Sequence, residues 1–185
     1  DGYEAMAVAL VAVLTGTSLP VEPYADVASL AARLDLSMIS HGPARFDPAE
    51  LLSLNARLLH AMSYEMAKPR LPAAISEQAW LILRSNLSLF ADIERWAAVL
   101  GAGFRGISVP EDHSFLTIAA NLLPEGPWDE TTWGAWTNAL KAATGRKGRE
   151  LFHPLRLALT GREDGPELKS LLPLLGRKAC LARLS

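Results

Sequence analysis

The sequence predicts an all-α fold, and three observations carry that prediction. No stretch alternates apolar and polar residues with period two for long enough to make a strand. Apolar residues instead recur three and four apart, as at Leu51, Leu54, Leu58 and Met62. Prolines and glycines fall between such stretches, where helices start and stop. With 185 residues, half of them apolar and 21% charged, the chain has room for one large helical domain or two small ones sharing an interface.

Taken in order, Tyr3 to Leu14 is an apolar helix with only Asp1-Gly2 before it; lacking Met, this start reads as a cut from a longer chain. Asp26 caps a short helix through Leu34, and residues 36–45 read as a connection. The strongest helix signal follows: Asp47 as N-cap, Pro48 at the first helical position and Glu50 three residues after the cap. Its stripe of Leu51, Leu54, Leu58 and Met62 leaves Asn55 to one side, and the helix ends near Ser63. After Pro69 and Pro72, a helix from Ser76 or Glu77 carries Trp80 and Leu83 toward Arg84. Ser88 caps the next, Leu89 to Leu100, which Gly101 and Gly103 stop. Glu111 to Leu122 forms another, ending before Pro124. Asp129 caps a helix with Trp133, Trp136 and Leu140 on one face, closed by Gly145. Pro154 to Thr160 and Pro166 to Leu175 each open on proline and end at glycine, and Arg177 to Leu184 is last. The proline break at 69–72 and the glycine break near 101–106 are the candidate boundaries.

Several function classes are excluded. The apolar run Ala5 to Leu14 falls short of the ~20 residues of a membrane span, and no signal-peptide pattern surrounds it. A single cysteine, Cys180, permits no internal disulfide and suits a reducing cytoplasm; it reads as a small apolar side chain. His41, His60, His113 and His153 are scattered, and no zinc-ligand spacing exists. Gly101, Gly103 and Gly106 imitate a dinucleotide motif, but no strand precedes them, so they read as a helix stop. Glu111-Asp112 and Asp129-Glu130 stand where helices start and read as caps. Trp80, Trp96, Trp133 and Trp136 occupy apolar helix positions and read as packing; Trp128 lies in a turn. Neither a catalytic nor a metal site is read in this chain.

Charge is the remaining signal. The formal net charge is -2, yet from Lys141 onward ten basic residues face four acidic ones. Such asymmetry makes a basic face for a polyanion on a mildly acidic protein, or a solvated helical tail. At its centre Arg146 and Lys147 stand between Gly145 and Gly148, with Arg149 next. Arg156 lies one turn after Pro154, which places it near a helix N-terminus with free N–H groups. Single-stranded RNA is bound by stacking, by hydrogen bonds to splayed bases and by cations on phosphates. Two readings of Arg156 stand at this point: bidentate contact with a base edge, or a surface pair with Glu150 or Glu163.

Three segments carry a resemblance: FDPAELLSLNARLLH (Phe46 to His60), PEGPWDETTW (Pro124 to Trp133) and, most specifically, TGRKGRELFHPLRLALTGREDGPEL (Thr144 to Leu168). Over essentially the whole chain the sequence resembles the C-terminal half of bacterial glutamyl-tRNA synthetases, with alphaproteobacterial members nearest. In that family a nucleotide-binding catalytic domain with HIGH and KMSKS motifs precedes a connecting helical region and an all-α anticodon-binding cage, the architecture of class I aminoacyl-tRNA synthetases. GYEAMAVALVAVLTGTS resembles the helix directly after KMSKS, so the chain would begin just beyond the active site. The resemblance implies three parts: residues 1–68 as the connecting, stem-contacting region, 69–100 as a first anticodon-binding subdomain and 101–185 as a second. ATP with Mg would serve the parent enzyme, with no cofactor and no catalysis in this part. The implied partner is tRNA(Glu), or also tRNA(Gln), bound by a cytoplasmic monomer away from membranes.

Residue by residue, Arg156 matches the arginine that the family uses on an anticodon base. Gly165 and Leu168 match positions contacting the third anticodon nucleotide; glycine replaces a side-chain hydroxyl of some members, so only its backbone could serve. A second anticodon arginine falls on Arg84 with a one-residue shift through LRSNLSLF, or on Ser85 in strict register. That position helps separate enzymes specific for tRNA(Glu) from those that also charge tRNA(Gln). Asn55 matches a polar position near the tRNA stem, and Arg146, Lys147 and Arg149 would lie along the tRNA backbone. Two rivals remain: a helical protein-interaction scaffold with a basic tail, and a helix-turn-helix DNA binder built around Gly161.

Overall fold

The computed structural model describes residues 2–24, 26–40, 42, 45–129 and 131–185. Readings at Asp1, His41 and Glu130, and part of the connection over 36–45, lie outside the described residues. These residues form helices α1 (Ala5–Leu14), α2 (Val27–Ala31), α3 (Pro48–Ala61), α4 (Tyr64–Ala67), α5 (Glu77–Leu83), α6 (Ile93–Leu100), α7 (His113–Asn121), α8 (Thr132–Thr144), α9 (Gly148–Thr160) and α10 (Leu168–Leu184), with short 3-10 turns between several of them. One isolated antiparallel bridge, Thr17 to Ile39, is the sole β pairing among the described residues. No helix among them is long and apolar enough to cross a membrane.

The chain divides into two compact units, residues 1–71 with 84–94, and residues 72–83 with 95–185. The stretch 69–100, expected to be a subdomain of its own, is therefore shared between them.

In the first unit α1 lies on α3 around Leu10, Val11, Leu14, Tyr24, Leu30, Leu51 and Leu54. Asp47 caps α3, its carboxylate accepting the Ala49 N–H at 2.9 Å, with Pro48 first in the helix as the sequence rules require. Asp26 likewise caps α2 through the Ser29 N–H at 2.7 Å. That helix stops at Ala31, however, and the chain to Leu34 continues as turn. Ser88 is not the cap of its segment; the Asp92 carboxylate accepts the N–H groups of both Ser88 and Leu89.

Asn55 requires a correction. It does not stand aside from the α3 stripe but lies within the buried face, 0% exposed, between Leu54 and Leu59. Its Oδ1 accepts the Glu4 N–H at 2.7 Å and its Nδ2 donates to the Ser88 carbonyl at 2.6 Å. A side-chain amide offers a donor and an acceptor together, which is what this junction uses. With both atoms occupied and no exposed surface, Asn55 has nothing to offer a tRNA stem. Arg70 fastens the same end of α1 from outside, forked onto the Glu4 carboxylate at 2.8 and 2.9 Å and stacked 3.7 Å from the Phe90 ring centroid. Asn55→Ala is expected to cost this unit about 2 kcal/mol, because water can reach the partly exposed partners it leaves behind. Faster hydrogen exchange in α1 and α3, with the second unit's amides unchanged, checks this.

In the second unit α10 is the element the others share; α5, α7, α8 and α9 all touch it. It begins at Leu168, two residues after the proline expected to open it. Gly176 interrupts it with φ 73° and ψ 157°, so its two halves meet at the glycine that punctuates the sequence. Trp80, Trp96 and Trp136 are buried, and the Trp136 indole N–H donates to the Ala119 carbonyl at 3.0 Å. Cys180 is buried in α10; burial pushes its thiol up to about 12, against the opposing charge of Arg183, so it is an inert apolar filler. The Arg183 guanidinium is 7% exposed and donates to the carbonyls of Leu159 and Val99 at 2.7 Å each and of Gly101 at 3.4 Å.

Candidate nucleic-acid interface

Helix α9 carries Arg149 and Arg156, two of the residues singled out for RNA contact, with Lys147 as its N-cap, and it corrects one expectation about them. It starts at Gly148, not Pro154, which sits inside it. Leu151, Leu155, Ala158 and Leu159 are all 0% exposed, and this stripe at helical spacing holds the helix together across the proline. Proline has no N–H for the carbonyl four residues earlier, that of Glu150. Arg146 supplies the missing donor, its Nη1 lying 3.3 Å from the Glu150 carbonyl. The same guanidinium meets the Asp112 carboxylate at 2.5 Å and stacks 4.4 Å from the Phe115 ring centroid. Arg146 thus braces α9, with its guanidinium already committed to Asp112 and the Glu150 carbonyl.

Its neighbours differ. Gly145 ends α8 in the left-handed region, φ 71°, where a Cβ would be strained. The turn then exposes Lys147 and Arg149, which make no hydrogen bond or ion pair with the described residues. They flank the start of α9, where no side chain caps the free N–H groups.

Arg156 lies in the second half of α9, so it cannot borrow those N–H groups; this too corrects the expectation drawn from Pro154. Nor does it pair with Glu150 or Glu163. Its Nη2 donates to the Pro166 carbonyl at 3.0 Å and its Nη1 to the Asp164 carbonyl at 3.4 Å. Burial lowers its pKa, with the charge of Asp164 opposing. Two of its five N–H groups are committed, and three have no partner among the described residues. The structure therefore brings Arg156 and the Gly165 corner together.

The corner is held from beneath. Gly165 has φ 122°, and a Cβ there would lie 2.4 Å from Cη2 of Trp96. Arg162 lies 5.5 Å from the same indole's centroid and pairs with Asp164 at 2.8 Å. Leu168 is 4% exposed, so its side chain belongs to the core and only its backbone reaches the corner. Arg162 and Trp96 were not legible as parts of this site, since their roles depend on a contact between residues far apart in sequence. His153, also on α9, faces Glu163 at 3.3 Å.

Arg84, Ser85 and Asn55 belong to the other unit. Arg84 donates to the Met62 carbonyl at 2.7 Å, the first carbonyl past α3. The exposed Ser85 hydroxyl accepts from Asn86 Nδ2 at 3.2 Å.

The glycines at 101–106 offer no cradle for a nucleotide. At Gly106 a Cβ would fall 1.7 Å from the Ala158 carbonyl oxygen, and the adjacent Ile107 N–H donates to Leu157 O at 2.9 Å. Glycine is required there so that the loop can lie directly on the α9 backbone.

Comparison with known proteins places these features in a wider context. A family model described as an anticodon binding domain matches residues 62–185. The whole chain aligns at 49% identity with a glutamate–tRNA ligase 2 of Beijerinckia indica subsp. indica, of which it covers 42%. It aligns at 50% identity with a glutamate–tRNA ligase 2 of Methylobacterium sp. strain 4-46, again over 100% of the chain and 42% of the relative. The chain thus spans about two-fifths of the length of the curated relatives it matches. The crystal structure of a glutamate tRNA ligase from Elizabethkingia meningosepticum superposes with a TM-score of 0.76 at 18% identity, over 99% of this chain and 40% of that one, which shows a shared fold.

Proposed function

We propose that this chain, which belongs to the anticodon-binding domain family, is the tRNA-recognition part of a glutamate–tRNA ligase. The observation that carries the proposal is the Arg156 guanidinium, held on the carbonyls of Asp164 and Pro166 with three N–H groups left over. A donor set fixed in this way suits the edge of an unpaired base, where the direction of each N–H decides which base fits. The backbone of Gly165 and Leu168 supplies the rest of the corner. Lys147 and Arg149, at the start of the same helix, act on phosphates and set register without reading sequence. Arg146 adds its charge there while bracing α9. Arg84 is the second anticodon arginine in this reading, and the choice between it and Ser85 bears on whether tRNA(Gln) is accepted beside tRNA(Glu).

Attachment of glutamate, with ATP and Mg, belongs in this proposal to the part of such an enzyme that these residues do not match. The cytoplasm is the compartment where its tRNA partner is charged, and the protein acts there as a monomer.

Arg156→Ala is expected to weaken binding of a tRNA(Glu) transcript by about 1–3 kcal/mol, the usual worth of a bidentate base contact. A transcript with a swapped anticodon should lose far less. Equal losses on the two transcripts, or tighter binding to duplex DNA than to tRNA, would overturn the assignment.

A further inference from the structure

The outer face of α9 carries one group that the anticodon reading leaves unused. Phe152 is 36% exposed, a high value for a phenyl ring on a helix whose opposite face is wholly buried. It is not alone. Trp133, half-buried on α8, lies with its ring centroid 5.9 Å away at an interplanar angle of 31°. The Lys141 ammonium stands 5.8 Å from the Phe152 centroid. Trp133 is itself fixed edge-on by the buried Trp136, with centroids 5.8 Å apart. The pair is therefore a rigid aromatic surface anchored in the core and capped by a cation.

Its place on the helix gives it meaning. Arg149, Phe152 and Arg156 follow one another at spacings of three and four, so they are neighbours along one face. The order is an exposed cation for phosphate, an aromatic ring, then the guanidinium beside the Gly165 corner. Cations alternating with aromatic rings are what a single-stranded nucleic acid requires, since phosphates and base faces alternate along it in the same way. Of the nearby acidic groups, Asp112 is taken by Arg146, Asp164 pairs with Arg162 and Glu163 faces His153, while Glu150 stays exposed beside Arg149.

We infer that Phe152, backed by Trp133 and Lys141, is a stacking platform for an unpaired base of the tRNA anticodon loop adjacent to the one that Arg156 contacts. The inference rests on the tRNA-binding reading above. The platform holds the strand in line, and Arg156 discriminates. Stacking is tolerant of base identity because every base presents a π face.

The test measures binding of the 185-residue chain, its Phe152→Leu and Phe152→Tyr variants and Arg156→Ala to a tRNA(Glu) transcript and to transcripts carrying one abasic position in the anticodon loop. Phe152→Leu keeps apolar volume but removes the ring, and should weaken binding of the intact transcript about 5- to 150-fold, the span of one base–aromatic stack. Phe152→Tyr should bind as the unaltered chain does. One abasic position should weaken the unaltered chain by a similar factor and cost Phe152→Leu nothing further. If Arg156→Ala weakens binding but Phe152→Leu binds as tightly as the unaltered chain, the platform is wrong and the anticodon reading stands. Additive losses for Phe152→Leu at every abasic position also overturn it. If the unaltered chain does not bind tRNA at all, both readings fall.

Discussion

Arg183→Met should destabilise the second unit by about 3–5 kcal/mol, the largest stability loss expected of any single substitution here. The side chain is 7% exposed and its guanidinium donates to Val99 and Gly101, at the end of α6, and to Leu159, near the end of α9. The last carbonyls of a helix have no partner within it, and they carry the negative end of its dipole. One buried cation answers two such ends at once, and the Phe104 ring, 4.9 Å away, covers its face. Methionine matches the stem but leaves those oxygens buried without donors, at ~1–3 kcal/mol for each that water cannot reach. All five tryptophans lie in the second unit, so their fluorescence during denaturation reports on it selectively. A lowered midpoint at an unchanged slope is the expected result. A shift worth less than about 1 kcal/mol would show that water or the neighbouring loop takes over the three carbonyls.

The same residue shows where reading the sequence succeeds and where it stops. Helix starts and stops encoded by adjacent residues were legible: Asp47 with Pro48, Gly145 after Thr144, the break at Gly176. Rules that look a few residues away see these signals because the physics is equally local. Pro154 misled because a local rule, proline at the first turn, was outvoted by a buried stripe extending on both sides of it and by a donor from Arg146. Charge was read as surface because arginine usually is surface. Whether a given arginine meets solvent or a pair of helix ends depends on which ends the fold brings together, and no spacing in the chain records that. The basic character of residues 141–185 is accordingly thinner than the count suggests. Arg146, Arg162, Arg177 and Arg183 are engaged in ion pairs or on buried carbonyls, while Lys147, Arg149, Lys169 and Lys178 stay exposed. Asn55 failed in the opposite direction: a polar residue was assigned to the surface although its two partners required it inside. Among the residues proposed to face RNA, the line Arg149, Phe152, Arg156 was present in the sequence, but it becomes visible only when the helix is started at Gly148.

Gly165→Ala joins stability to recognition, and its effect should be seen in both. The backbone there has φ 122°, a region that residues with a Cβ enter at a cost of about 1–3 kcal/mol. The added carbon would also lie 2.4 and 2.5 Å from two atoms of the Trp96 ring. Trp96 is 3% exposed within a close-packed core, so the indole cannot retreat. The corner must move instead, carrying the Asp164 and Pro166 carbonyls away from Arg156. A total cost of about 3 kcal/mol is expected, from strain and overpacking together. Binding of the tRNA(Glu) transcript should lose the preference proposed for Arg156, while its salt dependence stays the same because Lys147 and Arg149 are untouched. Relieving the clash alone separates the two causes. In Gly165→Ala with Trp96→Leu, the steric part disappears and the backbone part remains, so the two substitutions together should cost less than their sum. Strict additivity would mean that the indole does not hold the corner, and Arg156 would then owe its position to Asp164 and Pro166 alone.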